Sequence, residues 1–521
     1  MNKLCLSDES EKLLINYKNL KYKLNFNYKD SEKTSKNAFY YQFQKFILNR
    51  LITSHNVVSK IYLQSELSNY RNMYIDSSKI YNKTVNDVLN EHLKNSRYID
   101  NSIINYIKKF QLLNQTKNET KNETKNESKT KSKTKSKTKA KSKNKTKKID
   151  KKREKSYLIK YEIPYEKTFI NINFILYEKD SLSKQLVEKY DNKVYDILKI
   201  IHLIIILSNN NLINKKDFEI CSRDGLNIFI FLTPFLREIN IESNDILGAT
   251  NANGGFCYGC INKGNIIVYR SQEYFKVLIH ELIHNFGIDS YIFDFKKEIY
   301  KTNSNENKLY KNFINNFNLS REINDGTFDI GMQECIVEFW AKFLNNSLFS
   351  FNYILKNLTH TDNINNIPVN IKTTGQFNKL YNMYISIFTS VFELEILHNS
   401  LQCVKILKKN KLNYLNILST KDKKINNYKE ETHIFSYFIL QTILLYSYKK
   451  FINFKIMINY ERNYNKFNII FPKSLENISQ LLKFIIVNSR NNDFINNIQL
   501  LEKIKYNKLL KTNLRMSLIE Y

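Results

Sequence analysis

The chain has 521 residues, 42% hydrophobic and 13% aromatic, so it can bury a large core, and its 10 glycines and 4 prolines are far below ordinary usage. Its formal net charge of +31 permits attraction to nucleic acid, anionic membrane or an acidic scaffold and selects none of them. Six cysteines exclude a disulfide-built scaffold at this length, and reduced thiols in a cytosolic compartment are expected.

The amino terminus, MNKLCLSDESEKLLINYKN, lacks the apolar core of a signal peptide. Residues 1–113 then read as a helical amino-terminal domain, because YYQFQKFILNRLI and SIINYIKKFQLL space their apolar residues by three and four. No catalytic cluster occurs there, so a docking or cover role is expected. Residues 114–155 break the periodicity. From Gln115 to Lys155 there are 17 lysines and one arginine against five acids, a net +13, with almost nothing apolar to bury. Ordering such a tract costs entropy without return, so it reads as a disordered linker. It can contact an acidic protein or nucleic acid, but it lacks the interleaved aromatics that stack on bases.

Residues 156–319 alternate strand and helix. TFININFILYE predicts a strand, and the run ending in ILKIIHLIIIL a long helix capped by Ser181 or Ser183. That apolar run, residues 197–207, is too short to span a bilayer and holds a lysine and a histidine, so no transmembrane segment is expected. LNIFIFL is a second strand. A glycine-containing loop with CYGC (Cys257 and Cys260) leads to a third, NIIVYR, and then to a helix over residues 274–286. Two thiols at that spacing can bind zinc, but no second pair lies nearby to complete a structural site, and the pair reads as a loop feature beside the cleft. Residues 320–521 read as helical.

The helix contains HELIH. His280 and His284 lie four apart and share one side, while Glu281 stands one position along. That pattern lets two neutral imidazoles grip Zn²⁺ and the carboxylate take a proton from water. Chance produces it on the order of 0.01 times in a chain with so few histidines. The third ligand has two sources. After Gly287, Ser290 stands at the place of the third histidine of the metzincin pattern HExxHxxGxxH, and serine ligates zinc poorly; Asp289 falls one residue early. Downstream, ECIVE places Glu334 and Glu338 on one helical face among apolar neighbours, where buried carboxylates need partners.

HELIH followed by ECIVE resembles the gluzincin branch of the zincin-like metallopeptidases. The resemblance implies an α+β fold: a zincin-like mixed sheet with an active-site helix, then a mainly helical carboxy-terminal region. It implies a zinc-dependent peptidase acting on a peptide or protein substrate, with Zn²⁺ on His280, His284 and Glu334. Glu281 would be the catalytic base, and Glu338 the acid that orients a ligating histidine. It further implies that NIIVYR is an edge strand pairing with extended substrate. His433 and Tyr437 share a helical face and are candidate donors to the transition state. With its A/T-biased composition and lysine repeats, the chain also resembles a metallopeptidase-like protein of a large DNA virus, implying host cytoplasm or virion. A non-catalytic interaction protein on the same fold, or a nucleic-acid-binding protein using the basic tract, is the alternative.

Overall fold

The computed structural model describes residues 6–24, 38–61, 67, 69–75, 99–107, 155–165, 168–178, 183–209, 221–299, 304–319, 330–359, 368–418, 428–454, 458–461, 466–469, 474–505 and 507–520. The expected linker, residues 114–155, lies outside them except for Lys155. The fold is mixed α+β, with helices packed around one open, mixed six-stranded sheet.

The strands are β1 (Arg71–Ile75), β2 (Lys155–Tyr165), β3 (Thr168–Glu178), β4 (Leu226–Phe231), β5 (Gly255–Cys257) and β6 (Gly264–Val268), in the spatial order β1-β2-β3-β4-β6-β5. β2 and β3 are antiparallel, β3, β4 and β6 run parallel, and β5 is antiparallel to β6. A parallel pair needs a crossover, and the helix Lys184–Asn209 supplies it between β3 and β4. Ser183 starts that helix by accepting the Leu186 N–H at 3.2 Å. Along β3, Ile170, Ile172, Phe174 and Leu176 enter the main core, whereas Ile175 faces the opposite side with Phe229 and Ile267. An asparagine ladder, Asn171 to Asn227 to Asn265, runs across the three parallel strands in register at 3.0 and 2.9 Å.

Within 1–113, expected as a helical amino-terminal domain, the described residues include a strand as well as helices, and they pack against the rest of the chain. β1 pairs with β2, and Ile99, Ile103, Ile104 and Ile107 cover the second face of the sheet. The helices Asp8–Lys23 and Ala38–Ile61 pack against the carboxy-terminal helix Thr374–Lys409, so Leu13, Tyr17, Phe43 and Ile47 share its core. Apolar periodicity identified the helices but could not say what covers them.

NIIVYR also differs from expectation. It forms β6, an inner strand, and the edge belongs to β5. A three-residue strand beginning with glycine is too short to show alternation in sequence. The described residues after 320 are mainly helical and include a hairpin of Ile458–Glu461 and Lys466–Ile469. Residues 513–520 then return as an irregular segment in which Leu514, Met516, Leu518 and Ile519 are buried. Among the described residues no helix is long and apolar enough to cross a membrane.

Candidate metal centre

The motif helix, Tyr274–Asn285, lies between β5 and β6 on one side and the helix Met332–Thr359 on the other. Val277, Leu278, Ile279, Leu282 and Ile283 bury it almost all round. Glu273 caps its start in the left-handed region, φ 58°. Its buried carboxylate accepts from Arg237 Nη1 at 2.6 Å and from the amides of Met516 and Ser517, which anchors this uncommon backbone. At the other end Gly287 takes φ 61°. Its N–H reaches the His284 carbonyl and that of Ile288 the Ile283 carbonyl, at 2.9 and 3.2 Å, a Schellman ending.

On this frame the Nε2 atoms of His280 and His284 lie 3.1 Å apart and approach Glu334 Oε2 at 3.1 and 3.6 Å. The three ligand atoms all lie within 4.8 Å of one another. Tetrahedral Zn²⁺ with bonds of about 2.0–2.2 Å requires ligand–ligand spacings of about 3.3 Å. The three donors therefore have the right chemistry and spacing for such an ion.

Each imidazole turns its other nitrogen to a carboxylate. His280 Nδ1 meets Glu338 Oε2 at 3.0 Å, and His284 Nδ1 meets Asp289 Oδ2 at 2.7 Å. A proton on each Nδ1 leaves both Nε2 lone pairs facing the common point. Asp289 thus sits on the outer nitrogen of His284 and not in the ligand set, because the left-handed turn at Gly287 swings it behind the ring. Ser290 begins the next helix, Ser290–Ile299, and lines the cavity wall. Glu338 is clamped by Lys276 Nζ at 2.7 Å and Lys342 Nζ at 3.5 Å. Tyr437 donates its hydroxyl to Glu334 Oε2 at 3.0 Å from a π-helical turn, Phe435–Leu440.

Burial opposes charge on both histidines, but carboxylates outweigh it: Glu334 and Glu338 raise His280, and Asp289 with Glu334 raise His284 well above the imidazole range. Burial alone would raise Glu334, yet the two imidazoles hold it well below the usual carboxylate range. Glu281 is only 6% exposed, and burial lifts its pKa above that of an ordinary glutamate. A raised carboxylate is a better proton acceptor for water than a free one.

These groups line a cavity of about 600 Å³ whose opposite wall runs from Asn253 to Ile261. Thr432, His433 and Tyr437 also border it. Gly255 is needed in that wall, since a Cβ there would lie 2.8 Å from Val277 Cγ1 and 3.2 Å from Glu281 Cγ. Burial raises the Cys257 thiol, which contacts the Glu281 carbonyl at 3.2 Å. The CYGC pair is not a shared metal or redox pair: Cys260 is joined to Cys221, 39 residues earlier, which also corrects the expectation of reduced thiols throughout. Cys257, Cys335 and Cys403 are free. The sequence offered Asp289 as a possible third ligand rather than as the partner of His284 Nδ1, and gave no signal for Lys276 and Lys342 around Glu338. No protein-family model matches the chain, and no curated protein or solved structure matches it either.

Proposed function

We propose that the protein is a zinc-dependent metallopeptidase of zincin-like, gluzincin-type architecture. The observation that carries this reading is the convergence of His280, His284 and Glu334 beside the buried Glu281 in an open cleft. His280, His284 and Glu334 would hold a zinc ion, which when bound would supply Lewis acidity toward a water and a peptide carbonyl. Glu281, buried in the wall beside these residues, is placed to accept a proton from a water in the cleft and return it to a departing amine. Glu338 and Asp289 keep the imidazoles in the tautomer that presents Nε2. Tyr437 and His433, bordering the same cavity, are the candidate donors to the developing oxyanion. β5, the last strand of the six-stranded sheet among the described residues and packed near the motif helix, is the candidate support for an extended peptide substrate.

The test combines metal analysis with a peptide-library digest read by mass spectrometry. The parent should carry about one zinc per chain and lose it in His280→Ala. Glu281→Gln should keep the zinc and lose hydrolysis by about 10²–10⁴-fold. Full activity in that variant would sink the mechanism. Zinc without hydrolysis in the parent would favour a non-catalytic interaction protein, whose basic tract of net +13 would then be the feature to test against acidic partners or nucleic acid.

A further inference from the structure

The disulfide between Cys221 and Cys260 has no part in the chemistry above, yet its position is specific. Cys260 closes the turn after β5, and its backbone holds φ 39°, a left-handed value rare outside glycine. Its N–H donates to the Asn285 carbonyl at 3.0 Å, at the end of the motif helix. The Ser222 N–H donates to the Ile261 carbonyl at 2.7 Å, and its hydroxyl accepts from Asn285 Nδ2 at 2.9 Å. The disulfide joins the residues before β4 to the turn after β5, and hydrogen bonds from both sides to Asn285 add the last turn of the motif helix. β5 contributes only three ladder pairs of its own. The turn it leads into carries Tyr258 and Ile261, both partly exposed and both lining the cavity.

We infer that the Cys221–Cys260 disulfide is a reducible brace that fixes the β5 wall and so tunes peptide binding in the cleft. Its effect on hydrolysis rests on the peptidase reading; its effect on the loop does not. Cys221 is 6% exposed, whereas Cys260 is half-buried and lines the cavity, so attack falls on Cys260 Sγ. A thiolate of a dithiol reductant bonds to that sulfur, the S–S bond breaks, and Cys221 leaves as a thiolate that takes up a proton. The second thiol of the reductant displaces Cys260, which is likewise protonated, as the reductant closes its own disulfide. Two electrons and two protons have then passed to the protein. Once free, Cys260 can relax from its left-handed backbone, and the wall loses its covalent tie to the residues before β4, leaving only hydrogen bonds to hold it to the helix end.

The experiment uses the full-length zinc-loaded protein before and after treatment with a water-soluble trialkylphosphine, removed before assay, and the double variant Cys221→Ala/Cys260→Ala. The phosphine leaves as its oxide, with water supplying the oxygen and the two thiol protons. Amide exchange over residues 255–263 should accelerate at least 10-fold in both samples while residues 226–231 stay protected. KM for a cleaved peptide should rise five-fold or more, with kcat changed less than two-fold and zinc content unaltered. Unchanged exchange over 255–263 overturns the brace whatever the activity does. Faster exchange with unchanged KM overturns its link to substrate binding. If the oxidised parent cleaves nothing, the peptidase reading has failed and the exchange arm alone decides the brace. Should the double variant not fold, the phosphine-treated parent carries the same comparison.

Discussion

His280 and His284 look alike in sequence but rest on different supports. Asp289 holds His284 from the buried turn that ends the motif helix and has no lysine or arginine paired with it among the described residues, whereas Glu338 holds His280 from the neighbouring helix while also pairing with Lys276 and Lys342. Removing either carboxylate should weaken zinc binding about 10–100-fold, measured by competition with a chromogenic chelator. The two variants should separate in stability. Glu338→Ala leaves two buried ammonium groups without their carboxylate and should cost about 3–5 kcal/mol in a urea melt, while Asp289→Ala should cost much less. Equal losses in the two melts would mean that the lysines are not held by Glu338.

At the scale of elements, the motif helix depends on where it stops. Gly287 turns left-handed at φ 61°, and a Cβ there would lie 3.0 Å from Cys260 Cβ. Gly287→Ala should destabilise by about 1–2 kcal/mol from backbone conformation alone, with a further part from that contact. It should also slow zinc uptake by displacing Asp289; unchanged stability and uptake would show that the turn is not needed. The helix Thr374–Lys409 offers a pH test. Burial lowers Lys405 to about 7, where its amine donates to the Leu510 and Asn513 carbonyls. Above about 10.5 the amine is neutral whether the chain is folded or not; below about 7 it is charged in both, and the folded state bears the full cost. Between these limits the parent should gain stability relative to Lys405→Met as pH rises. Urea melts at pH 7 and 9.5 measure the difference, and parallel behaviour of the two proteins would refute it.

At the scale of the whole molecule, distant parts of the chain meet behind the metal centre. Arg515 pairs with Glu520 at 3.1 Å and reaches Glu9 at 3.5 Å, Glu520 accepts the Glu273 N–H at 2.9 Å, and Met516 lines the cavity. Glu273 and Glu395 satisfy the amides of Met516, Ser517 and Leu518. Deleting residues 513–521 would strip these buried carboxylates of their backbone donors, leaving Arg237 on Glu273 and Asn399 on Glu395, and should abolish stoichiometric zinc binding and lower Tm by 10 °C or more. Replacing residues 115–150 with a short Gly/Ser linker should leave both within error, because that stretch contains almost no apolar residue. Calorimetry with metal analysis distinguishes the two deletions, and retention of zinc by the tail deletion would contradict the role given to it.

Local pattern alone determined much of this protein. Period-two and period-3.6 apolar spacing marked β3, β4 and the long helices, and the HELIH and ECIVE spacings each put two polar groups on one helical face. Those features depend on neighbours within a turn or a strand, so they are written in contiguous residues. The tertiary structure decided which glutamate meets the histidines across 54 residues, that Asp289 stands behind His284, and that the edge of the sheet is β5. It also decided that Cys260 pairs with Cys221 and that the amino-terminal residues complete the sheet. Apart from Asp289, which lies five residues from His284 and depends on the turn at Gly287, these are contacts between separate segments, fixed by how buried faces pack and how buried charges find partners. No local periodicity encodes them.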